Sequence, residues 1–507
     1  MASRRDELNA YTFAKRRLIA QFVQPNPTGS EEGAPRPLRA VAPGAIVGVV
    51  ILAVFGAWGM FKPVAPKGWD TPGENVIIAS KSTTRYVVLK TGGKTQLHPV
   101  LNMSSAKLLL DPAKGKVINV DESALDDGKI PHGATLGIPY APDRLPSEPE
   151  AGGSKRWAVC ERPGEGGRAI QKAAFVLAQR EEKKTDGAER LTGGELLYVE
   201  GPDAKRYVVD AKGTAYPVEK DELLLRQLVG QGRAAQRVST AWLSTLHQGD
   251  AISFPTLPGQ AGSPAGVSGL GDDVNKVGMV LSATDGTRKQ MYVVLKDRVA
   301  PVSDFMAKLL LNSRQLVDLG QAGQATSVSG GAFQPGRAFG QGKKWPRAQP
   351  VPVNEAGAGS GNRNTVCNVL REVDGDSGKT TLSTWAGKDF PATLPTGSSS
   401  AYVTPGSGQL FRQFKGSTTS SGFLFLVTDT GLRYAMQSNG DSATDDAGIG
   451  SSGSAEEKQA RQAEAQQAQS RLGYKNVNPT PIPAEWSTFL PTGPRLSTGA
   501  ARQPQGS

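Results

Sequence analysis

The residues best suited to chemistry in this 507-residue chain are few and widely separated. Its two cysteines, Cys160 and Cys367, and its three histidines, His98, His132 and His247, do not show the ligand spacing of a metal site. A cysteine–histidine nucleophile is a weaker prediction still. Acidic residues are abundant, but no pair stands out as acid and base. The sequence therefore predicts no metal, no cofactor and no catalytic site.

One glycine-rich segment resembles the end of a phosphate-binding loop. Residues 92–95 read GGKT, but the motif needs a glycine five residues before its Gly-Lys pair, where this chain has Val88. Gly331 and Gly336 have the required separation, but Arg-Ala follows them instead of Lys-Ser/Thr, and residues 340–344 fail similarly. We expect a hairpin turn at residues 92–93 and no enzyme.

Composition permits a multidomain protein and argues against nucleic-acid binding. The chain is 38% hydrophobic and 21% charged, and its 61 glycines and 35 prolines indicate many turns and linkers. The net charge of +11 arises from 58 basic and 47 acidic side chains, which is typical of a solvated surface attracted to anionic lipid or wall polymer. We see no concentrated basic face with aromatic residues for stacking nucleobases.

The first element that would fix the position of the chain in the cell is an uncharged apolar segment near the N-terminus. Residues 41–61 carry no charge, and about 20 apolar residues span a hydrocarbon core of about 30 Å. Forty polar residues precede the run, which argues against a cleaved signal peptide. The first 42 residues hold seven arginines and lysines, against Lys62 and Lys67 just beyond the run. We therefore expect an uncleaved transmembrane helix with a cytoplasmic N-terminus and an extracytoplasmic bulk.

The segment before this run predicts an amphipathic helix over residues 6–23. Leu8, Tyr11, Leu18 and Phe22, with Ile19, recur near a 3.6-residue period, and we place the basic residues 15–17 off that face. The stripe has no partner within this short segment. It should dock on another protein or, alternatively, lie on the inner leaflet.

A block of strands and one helix recurs four times in the remaining sequence. Each of three copies has a strand, a Tyr-Val-Val strand, a Pro-Val step and a leucine triplet on a helix; the fourth copy is degenerate. The tyrosines are Tyr86, Tyr207, Tyr292 and Tyr434. The strands before them are expected at 75–80, 195–200, 277–282 and 423–428. The leucine triplets are 108–110, 223–225 and 309–311.

Each block is expected to close with an apolar residue three positions before a glycine. The pairs are Leu125 with Gly128, Leu246 with Gly249, Phe333 with Gly336, and Leu490 with Gly493. Trp242 and Trp486 each lie seven residues before their glycine. The fourth copy contains a Gly/Ser/Asp-rich insertion at 438–454 and an Ala/Gln/Glu helix near 455–472. Units this small must pack against each other or on a central module.

The two cysteines lie in strand-like segments, residues 155–161 and 364–370, before the second copy and after the third. This pattern predicts two halves of one central sheet. A disulfide is permitted outside the membrane, and two buried free thiols are the alternative.

The order of these features resembles the EccB family, core membrane components of the type VII (ESX) secretion machinery of actinobacteria. The resemblance rests on residues 5–11 (RDELNAY) before the single span, the Tyr-Val-Val repeats, the Trp-Ala-Val-Cys of residues 157–160, and the tail PIPAEW at 481–486. It covers nearly the whole chain.

The resemblance implies a structural subunit of an inner-membrane complex with EccC, EccD and EccE, and an elongated outer part that self-associates. It also implies a Cys160–Cys367 bridge. Some family descriptions name an ATPase, but no nucleotide motif of this sequence supports an ATP site. The alternative is an anchor of the complex that contacts peptidoglycan in the cell wall.

The expected fold is α+β: one transmembrane helix and four small β-rich repeats around a central disulfide-linked sheet. The expected boundaries are a head at 1–40, the span at 41–61, repeats at 70–130, 191–256, 276–338 and 420–496, central halves at 131–190 and 345–415, and a disordered tail at 497–507.

Overall fold

A computed structural model describes residues 3–23, 38–60, 65–112, 114–164, 169–357, 363–395, 400–436 and 455–505 of the chain. The expected Gly/Ser/Asp-rich insertion at 438–454 lies outside these residues. The structure is mixed α+β, with five sheets and one disulfide.

Two long helices precede the sheets, α1 (Arg4–Val23) and α2 (Leu38–Met60). Asp6 and Glu7 occupy the first turn of α1, where negative charge complements the helix dipole. In the part of the chain that the structure describes, no helix is both long and apolar enough to cross a membrane. The transmembrane segment expected at residues 41–61 is therefore not confirmed.

The first small sheet shows a plan that three other sheets share. Three antiparallel strands and a helix are followed by a short strand that returns beside the first strand, parallel to it. The sheet order is therefore third, second, first, returning strand. The elements of this first module are β1 (Asn75–Ala79), β2 (Arg85–Thr91), β3 (Lys94–Val100), α3 (Met103–Leu109), β4 (Lys116–Val120) and α4 (Glu122–Leu125).

The remaining elements follow in chain order. First come α5 (Glu148–Gly152), β5 (Lys155–Pro163) and β6 (Ile170–Ala178). The second module comprises β7 (Glu195–Glu200), β8 (Arg206–Asp210), β9 (Thr214–Pro217), α6 (Glu222–Val229), β10 (Gln236–Arg237), α7 (Thr240–Ser244) and β11 (His247–Gln248). The third module comprises β12 (Val280–Asp285), β13 (Arg288–Leu295), β14 (Arg298–Val302), α8 (Asp304–Leu311) and β15 (Thr326–Ser327).

After β16 (Val351–Pro352), which pairs with β7, come β17 (Thr365–Val373), β18 (Thr380–Gly387) and β19 (Ala401–Val403). The fourth module comprises β20 (Gly408–Phe414), β21 (Phe423–Thr428), β22 (Arg433–Ala435), α9 (Ala455–Leu472), β23 (Thr480–Pro483) and α10 (Ala484–Ser487), and α11 (Thr498–Ala501) follows. Turns of 3-10 helix lie at Gln179–Thr185, Gly187–Glu189, Arg314–Leu319 and Gly330–Ala332.

The leucine triplets lie on helices as predicted, and polar caps start those helices. Asn102, Asp221 and Ser303 each accept a hydrogen bond from a backbone N–H in the first turn, which satisfies a donor that the helix leaves unpaired. Most of the triplet side chains are buried in cores that two modules share. The predicted helix 455–472 is also confirmed, as α9.

All four modules close with the same glycine contact on the third strand. The N–H of the glycine donates to a carbonyl of that strand at 2.8–2.9 Å: Gly133 to Leu97, Gly249 to Ala215, Gly336 to Val299, and Gly493 to Arg433. Three residues later, an apolar residue donates to the same strand in each module: Leu136, Ile252, Phe339 and Leu496. The expected Gly128 of the first module is wrong, because Gly133 makes this contact and has Ile130 three positions before it.

An aromatic ring on the third strand explains the need for glycine. A Cβ atom built on Gly249 would lie 2.3 Å from the Tyr216 ring, and one on Gly493 would lie 2.4 Å from the Tyr434 ring. Tyr434 therefore belongs to the third strand of its module, not to the Tyr-Val-Val strand to which we assigned it. The first strand of this module is β20, which begins before the expected boundary at residue 420.

The central sheet is built from two distant segments, as predicted. Its order is β18-β17-β5-β6-β19, and β17 pairs with β5 in antiparallel register. The second and third modules lie in the chain between β6 and β17, so they form a large insertion within this sheet.

Three continuous cores connect the modules in a fixed order. One core unites the first and fourth modules, a second unites the second and third, and a third joins both pairs through the central sheet. The order in space is therefore first, fourth, central, second, third.

The C-terminal segment packs on the first module up to residue 505, which corrects the disorder expected there. Ser497 caps α11, Ala501 is fully buried, and the N–H of Gln505 donates to the Thr135 carbonyl at 2.8 Å. The apolar residues Leu496 and Ala501 explain the order, because both are buried in the core shared with the fourth module.

We predict that Gly249→Ala lowers the free energy of unfolding by about 2–4 kcal/mol, since the new methyl overlaps the Tyr216 ring. Gly342→Ala is the matched control, because a Cβ atom there meets nothing within 4 Å. Urea unfolding of both variants checks the prediction. Equal stabilities would contradict the proposed role of this glycine.

Candidate assembly surface

The residues predicted to bind a partner lie along one face of α1. Leu8, Tyr11, Leu18 and Phe22 are spaced by three, seven and four residues, so a 3.6-residue period aligns them. Their exposed fractions are 64%, 68%, 68% and 91%. No described residue therefore covers the stripe.

Lys15 lies within this stripe, which corrects its expected place off the apolar face. It follows Tyr11 by four residues and precedes Leu18 by three, and residues at these spacings are neighbours on a helix. A lysine stem can lie along an apolar surface while its ammonium group reaches outward. The stripe thus combines apolar contact with one central positive charge.

The two cysteines, Cys160 and Cys367, form the disulfide that the family resemblance implies. The two residues face each other directly in the β5–β17 register, with Cα atoms 4.0 Å apart. Both are completely buried. The bond joins the two halves of the central sheet and closes a chain segment with a sequence separation of 207.

The opposite face of the central sheet carries tryptophan contacts to two modules. The Trp242 indole N–H of α7 donates to the Val159 carbonyl at 3.1 Å. The indole N–H of Trp157 donates to Gln409 Oε1 at 2.8 Å. The Trp157 ring also contacts the Phe411 ring edge-on, with 5.3 Å between the ring centroids. These large side chains fix the second and fourth modules on the sheet.

Glu161 is a buried contact that sequence reasoning missed. Its carboxylate is fully buried on the sheet face opposite the disulfide, and it accepts hydrogen bonds from the backbone N–H of Ser239 at 2.7 Å and from the Ser239 hydroxyl. Burial raises the pKa of Glu161, while the Ser239 bonds and Lys172 oppose that rise. Ser239 caps α7, so Glu161 links the second module to the central sheet.

The GGKT segment forms a hairpin turn, as predicted. Thr91 pairs with Lys94, which leaves Gly92 and Gly93 as a two-residue loop with φ of 59° and 80°. Positive φ at both positions is the geometry of a type I′ turn. Lys94 begins a strand, whereas a phosphate-binding loop leads into a helix.

The other residues considered for chemistry make structural contacts. The buried His98 ring makes hydrogen bonds with the Ala134 carbonyl at 2.8 Å and the Thr91 hydroxyl at 3.2 Å. Within the described ranges, no group of three potential metal ligands could hold an ion. A cavity of about 150 Å³ lies where the second, fourth and central modules meet, lined in part by His247 and Thr380. It is below the range of about 300–1,000 Å³ that is typical of ligand pockets.

Comparison with known proteins identifies the family. The model of a family described as type VII secretion system ESX-1, transport TM domain B (EccB), matches residues 1–506.

The chain belongs to this EccB family.

Curated relatives carry the same family name. The ESX-3 secretion system ATPase EccB3 of Mycolicibacterium smegmatis is 26% identical over 543 residues, which cover 98% of this chain and 90% of the relative. The ESX-1 secretion system ATPase EccB1 of Mycobacterium tuberculosis is 26% identical over 310 residues, or 60% of each chain.

Solved structures show the same fold. The EccB3 dimer from the ESX-3 core complex matches with a TM-score of 0.56 and 23% identity, covering 84% of this chain and 99% of that chain. A chain of the intact ESX-5 inner membrane complex matches with a TM-score of 0.56 and 19% identity, covering 100% and 96%.

We predict that Cys160→Ala lowers the free energy of unfolding by about 2–5 kcal/mol, because the unfolded chain regains the entropy of a long loop. The double variant Cys160→Ala/Cys367→Ala should lose about the same, since the bond is already absent in the single variant. Urea unfolding under oxidising conditions measures both. A single variant as stable as the native chain would show that the bond contributes nothing.

We predict a pH-dependent effect of Glu161→Gln. The unfolded carboxyl titrates near its ordinary value of 4.5 and the folded one titrates higher, so folding takes up a proton. The native chain therefore loses stability as pH rises from 4.5 through the folded pKa, whereas the glutamine variant lacks this loss. Relative to the native chain, the variant should gain stability between pH 4.5 and 7. Thermal unfolding across this range checks the sign; Glu219→Gln, on an exposed residue, is the control.

Proposed function

We propose that this EccB-family chain is a non-catalytic structural and assembly subunit of a type VII secretion complex in the inner membrane. The observation that carries the proposal is the uncovered stripe of α1, in a chain whose four modules are themselves united by shared cores. A joined scaffold with a separate docking helix suits a protein that holds other subunits in place.

Partners follow from what the solved relatives assemble with. One relative was solved as a dimer from the ESX-3 core complex, and others as part of the ESX-5 inner membrane complex and its periplasmic assembly. By extension, this chain joins EccC-, EccD- and EccE-like subunits and associates with a second copy of itself. The α1 stripe contacts a cytoplasmic partner, with Leu8, Tyr11, Leu18 and Phe22 as its apolar anchors.

The proposal includes a membrane anchor with the N-terminus in the cytoplasm. Ile46, Leu52 and Phe55 of α2 are 64–74% exposed, and the other described large apolar side chains of this helix are about half exposed or more. Leaving such surface in water costs about 25 cal/mol per Å², which favours its transfer into lipid. The excess of arginine and lysine before α2 favours this orientation, and the modules then lie outside the membrane.

We further infer that the four modules are copies of one unit. Their common strand order and the repeated glycine contact support this inference. The relatives' names include ATPase, but residues 92–95 form a hairpin here, so the proposed role of this chain is mechanical and not catalytic.

We predict that Leu18→Asp/Phe22→Asp releases the chain from its complex, because two charges in the stripe oppose burial at an interface. Native gel electrophoresis of detergent-solubilised membranes should show the complex reduced at least tenfold. Ala10→Asp/Ala20→Asp adds the same charge to the opposite face of α1 and should leave the complex intact. Persistence of the complex in the Leu18/Phe22 variant would remove the docking role of α1.

A further inference from the structure

The third module carries nearly half of the net positive charge of the chain. Residues 257–347, which form the third module and the loops packed on it, carry eleven basic and six acidic side chains, a net charge of +5. The second module, residues 195–252, carries seven basic and eight acidic side chains, a net charge of −1. Both modules have the same strand plan, so the fold does not require this difference.

Most basic side chains of the third module are exposed, and few of them form an ion pair with another described residue. Ten of the eleven are exposed, the exception being the half-buried Lys308. Among the ion pairs between described residues, this module contributes one cation, Arg314, which lies 3.9 Å from Asp221 of the second module. The first module differs, because its Arg85, Lys114 and Lys129 pair with carboxylates nearby.

Three of these cations meet at one end of the third sheet. Leu295 pairs with Arg298 at the tight turn between β13 and β14, so Lys296 lies in the two-residue turn and Arg298 directly follows it. Gly336 donates to the Val299 carbonyl at 2.8 Å, so the next residue, Arg337, lies beside the same strand. A Cβ atom built on Gly336 would lie 3.7 Å from Arg298 Cδ, and the Arg337 Nε donates to Gln341 Oε1 at 3.4 Å. With the exposed Asp297 between the first two, Lys296, Arg298 and Arg337 form a basic cluster of net charge +2 at this end of the sheet.

The chemistry of this cluster favours an extended polyanion over a folded protein. Protein interfaces are anchored by buried aromatic or large apolar residues. Among the described residues of the third module, Val317 is the one large apolar side chain that is strongly exposed. Without an apolar centre, the affinity of such flexible cations depends on how many opposite charges they meet. This favours a polymer with repeated phosphate or carboxylate groups as the ligand.

The position of the module also separates it from the membrane. The first module follows α2 in the chain, whereas the third lies at the other end of the order of modules and shares its core with the second.

We propose that the third module is a binding surface for an anionic polymer of the cell envelope, contacted by Lys296, Arg298 and Arg337. Polymer binding itself depends on charge alone. The choice of an envelope polymer rests on the proposed topology, because that topology places the module outside the membrane.

The test uses the full chain in detergent micelles and fluorescein-labelled dextran sulfate as the probe, with uncharged dextran of equal length as the ligand control. Lys296→Glu/Arg298→Glu/Arg337→Glu should weaken binding at least tenfold at low ionic strength. The matched variant Lys212→Glu/Lys220→Glu/Arg237→Glu makes the same charge change at exposed positions of the second module and should change binding less than twofold. Added salt should weaken native binding, because it screens exposed charges.

The outcomes separate the proposal from its rivals. Equal losses in both variants would show a response to net charge and overturn the proposal. Stronger native binding to phosphatidylglycerol vesicles than to dextran sulfate, lost in the third-module variant, would assign the surface to lipid and also overturn it. Circular dichroism and thermal unfolding establish that each variant is folded. Native gels of the complex test the α1 role independently, so either proposal can fail alone.

Discussion

The pairing of β5 with β17 is the constraint on which the rest of the fold depends. These strands are about two hundred residues apart in sequence, yet Cys160 and Cys367 must face each other for the disulfide to form. Once they pair, one face of the sheet covers the cystine and the other receives Trp242 and Trp486 from two modules. The second and third modules then extend from that second face as one inserted pair, and the first and fourth modules form another pair that packs on the same face through the fourth.

Within each module, one recurring contact holds the last segment of the module against the third strand. A glycine passes under an aromatic ring or directly over the strand backbone, and an apolar residue three positions later enters the core. The glycine is needed because no Cβ atom fits under the rings of Tyr216 and Tyr434. The same contact recurs in all four modules, which share one strand order.

Much of this architecture follows from local pattern. The leucine triplets, the GGKT hairpin, α9 and the two cysteine strands have strong signals of period, turn chemistry or composition. Tyr434 was misplaced by one strand because its module lacks a Tyr-Val-Val segment, and a lone tyrosine does not specify which strand it occupies. The spacing indicates Gly128 because its distance from Tyr86 equals that between Tyr207 and Gly249. Gly133 makes the contact instead, which only the tertiary structure shows. Glu161 has no sequence signal at all, since its burial depends on Ser239, a residue of another module.

The closed covalent loop also determines how tension would pass through the molecule. A pull between α2 and the C-terminal segment reaches Cys160 and can cross directly to Cys367, so the backbone of the second and third modules carries no load while the bond is intact. Those two modules then lie outside the path that bears the force, so they keep their fold while the rest of the chain is under tension. Reduction of the single bond would place them in series with the rest of the chain and lengthen the path under force by the whole inserted segment.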